Sequence, residues 1–124
     1  MQTVLVVDDE FGIGEVLEAI LTDDGYRVVT AINGNHALER LAGNRVDLIL
    51  SDLMMPVMDG AVLFAALQAD KRYQRIPFVL MCSLPEANIA SRIKGYTAFL
   101  HKPFKVDDVL DVVRKVLGAP PASS

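Results

Sequence analysis

Short β-branched runs alternate with segments of helical period along nearly the whole chain. Thr3-Val4-Leu5-Val6-Val7 is an unbroken apolar run and reads as a strand covered on both faces. Ile13, Val16, Leu17, Ile20 and Leu21 then recur at helical spacing, which predicts a first helix closed by Gly25. Gly12 and Gly14 weaken its first turn. Further strands are predicted at Arg27 to Ala31, Asp47 to Ser51, Phe78 to Met81 and Thr97 to His101. Asn33-Gly34-Asn35 starts a short helix with Ala37, Leu38, Leu41 and Ala42 inward, and another helix begins after Gly60 with Val62, Leu63, Phe64 and Leu67 as core. A small helix spans Glu86 to Ile93 and ends at Gly95. In the last helix Val106, Val109, Leu110, Val113, Val116 and Leu117 share a face, with Asp107, Asp108, Asp111, Arg114 and Lys115 outside.

Five strands and five helices in strict alternation predict an α/β fold with a doubly wound parallel sheet. Ligands of such sheets bind outside the carboxyl ends of the strands, where strand order reverses. Asp8, Asp9, Asp52 and Lys102 all fall at those ends. Carboxylates brought together there repel and raise one another's pKa unless a cation sits among them. The pattern therefore points to a divalent metal beside a carboxylate, a setting for phosphoryl chemistry.

Composition narrows the partners. The 124 residues are 52% hydrophobic and 23% charged, enough for a two-sided core and unlike a disordered chain. A net charge of −4 argues against nucleic acid as the direct partner. The single Cys82 excludes an internal disulfide and fits a reducing cytosol. No run approaches a membrane span, and the N-terminal run is too short and too soon acidic for a signal peptide. These features predict a cytoplasmic domain over residues 1–118, with 119–124 as a flexible tail or linker. His36 and His101 stand apart from any transition-metal cluster and read as surface residues. Cys82 has no Cys-x-x-Cys partner and reads as buried at a strand end.

Four segments in order carry a resemblance: Val7-Asp8-Asp9-Glu10, Ser51-Asp52-Leu53-Met54-Met55-Pro56-Val57-Met58-Asp59-Gly60, Ile76-Pro77 before a strand, and Lys102-Pro103-Phe104. From about Gln2 to Leu117 the chain resembles the receiver domain of two-component response regulators. The flavodoxin-like strand order 2-1-3-4-5 is inherited from that family, not read from the pattern. The resemblance implies that Asp52 accepts a phosphoryl group from a sensor histidine kinase or phosphotransfer protein. It implies Mg2+ held directly by Asp9, through water by Asp8, and by Asp52 and the Met54 backbone carbonyl. Lys102 would pair with the phosphoryl group, and the bond to Pro103 would be cis. A signalling switch rather than an enzyme is expected, as a monomer or weak dimer.

The chain departs from that family at several places. Cys82 stands where a Thr or Ser hydroxyl would bond the phosphoryl oxygen, and a thiol is a weak donor. Ser83 is a neighbouring substitute, although Ser83-Leu84-Pro85-Glu86 has the form of a helix-capping box. The segment from Cys82 to Lys102 is short, which predicts an abbreviated fourth helix. Phe99 takes the place of a switching aromatic. Met54 and Leu84 are apolar and cannot orient a water, so slow self-dephosphorylation is expected. Two competing readings are a phosphate-independent interaction module, favoured by Cys82, and a dehalogenase-type enzyme. The latter would need an acid two residues past Asp52, where Met54 stands; a flavodoxin would need a hydroxyl-rich phosphate loop.

Overall fold

The computed structural model describes residues 1–118. Its elements follow in the order β1 (Thr3–Val7), α1 (Phe11–Asp23), β2 (Arg27–Ala31), α2 (Gly34–Gly43), β3 (Leu48–Asp52), α3 (Gly60–Gln68), β4 (Phe78–Cys82), α4 (Glu86–Ile89), β5 (Ala98–His101) and α5 (Val106–Leu117). All strand pairs are parallel and the sheet order is β2-β1-β3-β4-β5. This is the expected flavodoxin-like arrangement, with strand order reversing between β1 and β3.

Burial explains why the central strands are apolar at every position. β1, β3 and β4 are buried throughout, because helices cover both faces of the sheet. On one face Val4, Val6, Leu48 and Leu50 meet Leu17 and Leu21 of α1 and Val109 and Val113 of α5. On the other, Leu5, Ile49 and Leu80 meet Ala37 and Leu41 of α2, Leu63 and Leu67 of α3, and Ile89 of α4. Each fully buried Leu or Val contributes about 1.5–3 kcal/mol relative to exposure.

Helix ends follow local chemistry. Asn33 caps α2 by accepting from the His36 N–H at 2.8 Å, and Asp59 caps α3 by accepting from the Val62 N–H at 3.0 Å. Gly25 follows α1 at φ 95°, a left-handed turn that glycine adopts without a Cβ clash. Val16, Ala42, Val62 and Val106, expected inward, are exposed, since the buried stripes of their helices are narrower than the apolar sequences.

Four strand ends differ by a residue from the pattern, one of them the start of β5 at Ala98 rather than Thr97. β3 begins at Leu48, because the Asp47 carboxylate is engaged by the Thr3 N–H at 2.8 Å, and it ends on Asp52 itself. β4 reaches Cys82, whose carbonyl accepts from the Lys102 N–H at 2.9 Å. Helix α4 is indeed abbreviated, to four residues. Ser83 does not cap it: Pro85 occupies the N-cap with no side-chain bond. The Ser-x-x-Glu reading fails because the helix starts later, after the Leu84 N–H has turned back to Cys82 Sγ at 3.4 Å. The tail expected at 119–124 lies outside the described residues. No helix among the described residues is long and apolar enough to cross a membrane.

Candidate functional site at the carboxyl edge of the sheet

Parallel register brings the carboxyl ends of the strands to one edge. Val7 pairs with Ser51, Asp52 with Met81, and Cys82 with His101. Asp8, one residue past β1, therefore lies beside Asp52 at the end of β3. Lys102, one residue past β5, reaches across to both. Its ammonium lies 2.9 Å from Asp8 Oδ2, 3.3 Å from Asp52 Oδ2 and 3.9 Å from Glu10 Oε1. Asp8 also accepts from the Glu10 N–H at 2.9 Å, which folds the chain after β1 back over the site.

Asp8 and Asp52 are buried, at 3% and 4% exposure, so their charges are costly unless compensated. Burial pushes the Asp52 carboxyl up to about 6, against the pull of Lys102, with the Asp8 charge adding to the rise. Burial also works against the Lys102 ammonium, but the hydrogen bond to Asp8 and the charges of Asp52 and Asp8 hold it above its ordinary value. One cation thus serves two buried carboxylates, which leaves the cluster electrostatically short of positive charge.

Carboxylate oxygens of Asp8, Glu10 and Asp52 lie within 4.8 Å of one another. This hard-oxygen donor set fits Mg2+, which prefers few carboxylates and keeps several waters. Asp9 is exposed and stands outside that group. Glu10 is the member that the sequence reading left without a role. Its side chain is exposed like that of Asp9, but its carboxylate comes near the other two; the signal was present in the Asp8-Asp9-Glu10 run, but position alone does not say which exposed acid reaches the cluster. Met54 directs its N–H at the Asp52 carboxylate and leaves its side chain half-exposed.

The other singled-out residues spread around the edge. Cys82 is fully buried, packs with the α2, α3 and α4 side of the core, and its sulfur accepts from Leu84. Ser83 is exposed and Phe99 half-buried, with its ring 6.4 Å from that of Tyr96. The Lys102–Pro103 bond is cis. His36 is partly buried and accepts from the Ile32 N–H, while His101 is exposed; neither joins the acidic cluster.

The loop from Leu53 to Asp59 carries two features the pattern did not disclose. Val57 sits at φ 68° between Pro56 and Met58, whose carbonyl and N–H bond at 2.8 Å in a positive-φ γ-turn. Arg92, from the turn after α4, reaches this loop at 3.3 Å from Asp59 and 3.3 Å from Met54 Sδ. Nothing in the local sequence around Arg92 marks that contact.

Known proteins share this fold. The family model of the response regulator receiver domain matches residues 4–114. The response regulator Rre1 of Synechocystis is 37% identical over 98% of this chain, which covers 54% of that protein, so the chain spans about half the length of that relative. The chemotaxis response regulator CheY4 of Vibrio cholerae superposes with a TM-score of 0.89 at 34% identity, covering 94% of this chain and 99% of that one. The receiver domain of the sensor histidine kinase PA1611 of Pseudomonas aeruginosa, solved with a magnesium ion coordinated in its active-site cleft, gives a TM-score of 0.86 at 28% identity, covering 94% and 98%. With the strand order, the acidic edge and the match from Val4 to Arg114 in agreement, the chain belongs to the response regulator receiver domain family.

Proposed function

We propose that this chain is a phosphoacceptor switch in two-component signalling, with Asp52 as the acceptor. The observation that carries the reading is Asp52 itself, a nearly buried carboxylate at a strand end, 3.3 Å from a lysine and grouped with two further acids. A carboxyl with a pKa of about 6 is about nine-tenths ionised at pH 7, so it is available as a nucleophile. Its oxygen forms a bond to phosphorus as the N–P bond of a phosphohistidine breaks, and the imidazole leaves. The donor would be a sensor histidine kinase or a phosphotransfer protein.

Lys102 supplies a fixed positive charge for the phosphoryl oxygens, already oriented by Asp8. Asp8, Asp52 and the Met54 carbonyl would hold Mg2+, with Asp9 as the direct ligand implied by family likeness and Glu10 added by the geometry. The ion, when bound, neutralises charge developing on the transferring group. Met54 and Leu84 present apolar side chains at the mouth, which favours a long-lived phosphoprotein. The working unit is residues 1–118, in the cytoplasm, as a monomer or weak dimer without direct nucleic-acid binding. Its output is a changed protein-binding face that includes Phe99.

Acetyl phosphate with Mg2+ tests this reading without a cognate kinase. The wild type is expected to gain a phosphate-mass adduct that Asp52→Asn does not. Equal labelling of both would move the acceptor elsewhere. Absent labelling of the wild type, restored by Cys82→Thr, would instead favour a phosphate-independent interaction module.

A further inference from the structure

With α4 reduced to Glu86–Ile89, the chain from Ala90 to Thr97 passes the carboxyl edge without a long helix to anchor it. Two side chains tie it down. Tyr96 donates to the Glu86 carboxylate at 2.5 Å. Arg92 places one guanidinium nitrogen 3.3 Å from Asp59 Oδ2 and the other 3.3 Å from Met54 Sδ. Met54 is also the residue whose N–H faces the Asp52 carboxylate, which sets it between the acceptor and the guanidinium.

These partners hold Arg92 weakly. Its ion pair with Asp59 is long and partly exposed, a class that contributes little, and a thioether is a weak acceptor. A phosphoryl group on Asp52 would offer about −1.5 to −2 charge and three strong acceptor oxygens. A guanidinium grips such oxygens with parallel N–H···O bonds, better than it grips one distant carboxylate. Cys82, meanwhile, is poorly placed to report phosphate: it is fully buried and its sulfur is already engaged by Leu84.

We propose that Arg92 reports the phosphoryl group, exchanging Asp59 and Met54 for the oxygens on phosphorylated Asp52. The exchange draws the segment from Ala90 to Thr97 toward the carboxyl edge. Tyr96 and its neighbour Phe99 move with it, and the change reaches β5. Only hydrogen bonds and ion pairs are exchanged. This inference rests on the reading of Asp52 as acceptor.

Beryllofluoride, a phosphoryl mimic, tests it on the full chain with Mg2+, followed by NMR of the amides and of the arginine Nε–Hε groups. In the wild type the Arg92 Nε–Hε signal is expected to shift, with amide shifts across residues 86–101. At saturation, Arg92→Ala should keep the shifts near Asp8 and Lys102, bind the mimic several-fold more weakly, and lose more than half of the shift across 86–101. Arg92→Lys should restore part of it, which a merely structural role would not. Asp59→Asn keeps a capping side chain but frees Arg92, and should tighten mimic binding about twofold or more. An unmoved Arg92 signal, a wild-type response in Arg92→Ala, or unchanged affinity in Asp59→Asn would overturn the proposal. Failure of the wild type to bind the mimic, or equal binding by Asp52→Asn, would instead bring down the acceptor reading on which it rests.

Discussion

Asp52 shows how one buried side chain sets the behaviour of the site. Its raised pKa means that the folded protein retains a proton which the unfolded chain, with an ordinary value of 3.8, has already released. Between about pH 4 and pH 6 the folded state therefore binds more protons, and stability from this group falls as pH rises through 6. Asp52→Asn removes that loss. In chelator it should be more stable than the wild type by about 1–2 kcal/mol at pH 7.5, allowing for solvent screening at the open edge, with the gap closing towards pH 4. Urea unfolding at several pH values checks this; a gap independent of pH would contradict it. The role of Glu10 is settled by Mg2+ titration of Glu10→Gln and Asp9→Asn. A drop of about tenfold in affinity in Glu10→Gln is expected from the grouping in the structure. A drop confined to Asp9→Asn would return the ligand to Asp9 alone. The sequence displayed all three acids of the run after β1. The Glu10 N–H bonding back to Asp8 is a local Asx turn. That the Glu10 carboxylate, on a side chain still 66% exposed, comes near Asp52 and Lys102 depends on where the sheet places those two residues.

At the scale of elements, the loop between β3 and α3 carries most of the local strain and closeness. A Cβ at Gly60 would lie 2.5 Å from the Asp52 carbonyl oxygen, against backbone that cannot step aside. Gly60→Ala should destabilise the fold by about 2–3 kcal/mol and disturb Asp52. A Cβ at Gly34 would meet Met58 at Cγ, Sδ and, at 2.9 Å, its Cβ, so Gly34→Ala should also destabilise, by about 1–2 kcal/mol. Val57 presents the opposite case. A β-branched residue at φ 68° is strained, and its side chain is 87% exposed. Val57→Gly should stabilise the protein by about 0.5–1 kcal/mol once the greater freedom of glycine in the unfolded chain is offset. Thermal melts of the three variants rank them; a Val57→Gly variant less stable than wild type would contradict the strain argument. Element type and order were legible because period-2 and period-3.6 patterns alternate cleanly here. The Ser83 cap was misleading because the four-residue pattern was matched while Pro85 moved the helix start downstream.

For the whole molecule, the fold acts as a frame that carries four charged groups, Asp8, Glu10, Asp52 and Lys102, to one edge from three separate stretches of chain. The acidic edge was visible from the sequence, since strand ends in a parallel sheet must meet. Arg92 was not, because its contact with Met54 and Asp59 depends on how the shortened α4 returns the chain over the site. A cation that binds only the folded frame stabilises it by mass action. Mg2+ at about a hundredfold of its Kd should add about 2.7 kcal/mol to the wild type, and much less to Asp8→Asn. A melting temperature indifferent to Mg2+ would argue against a metal at this edge. The central claim is that Asp52 carries the phosphoryl group, and an acyl phosphate is reduced by borohydride to the corresponding alcohol. Acetyl phosphate treatment, borohydride reduction and peptide mass spectrometry should therefore place homoserine at position 52; reduction at any other carboxylate, or at none, would contradict the account.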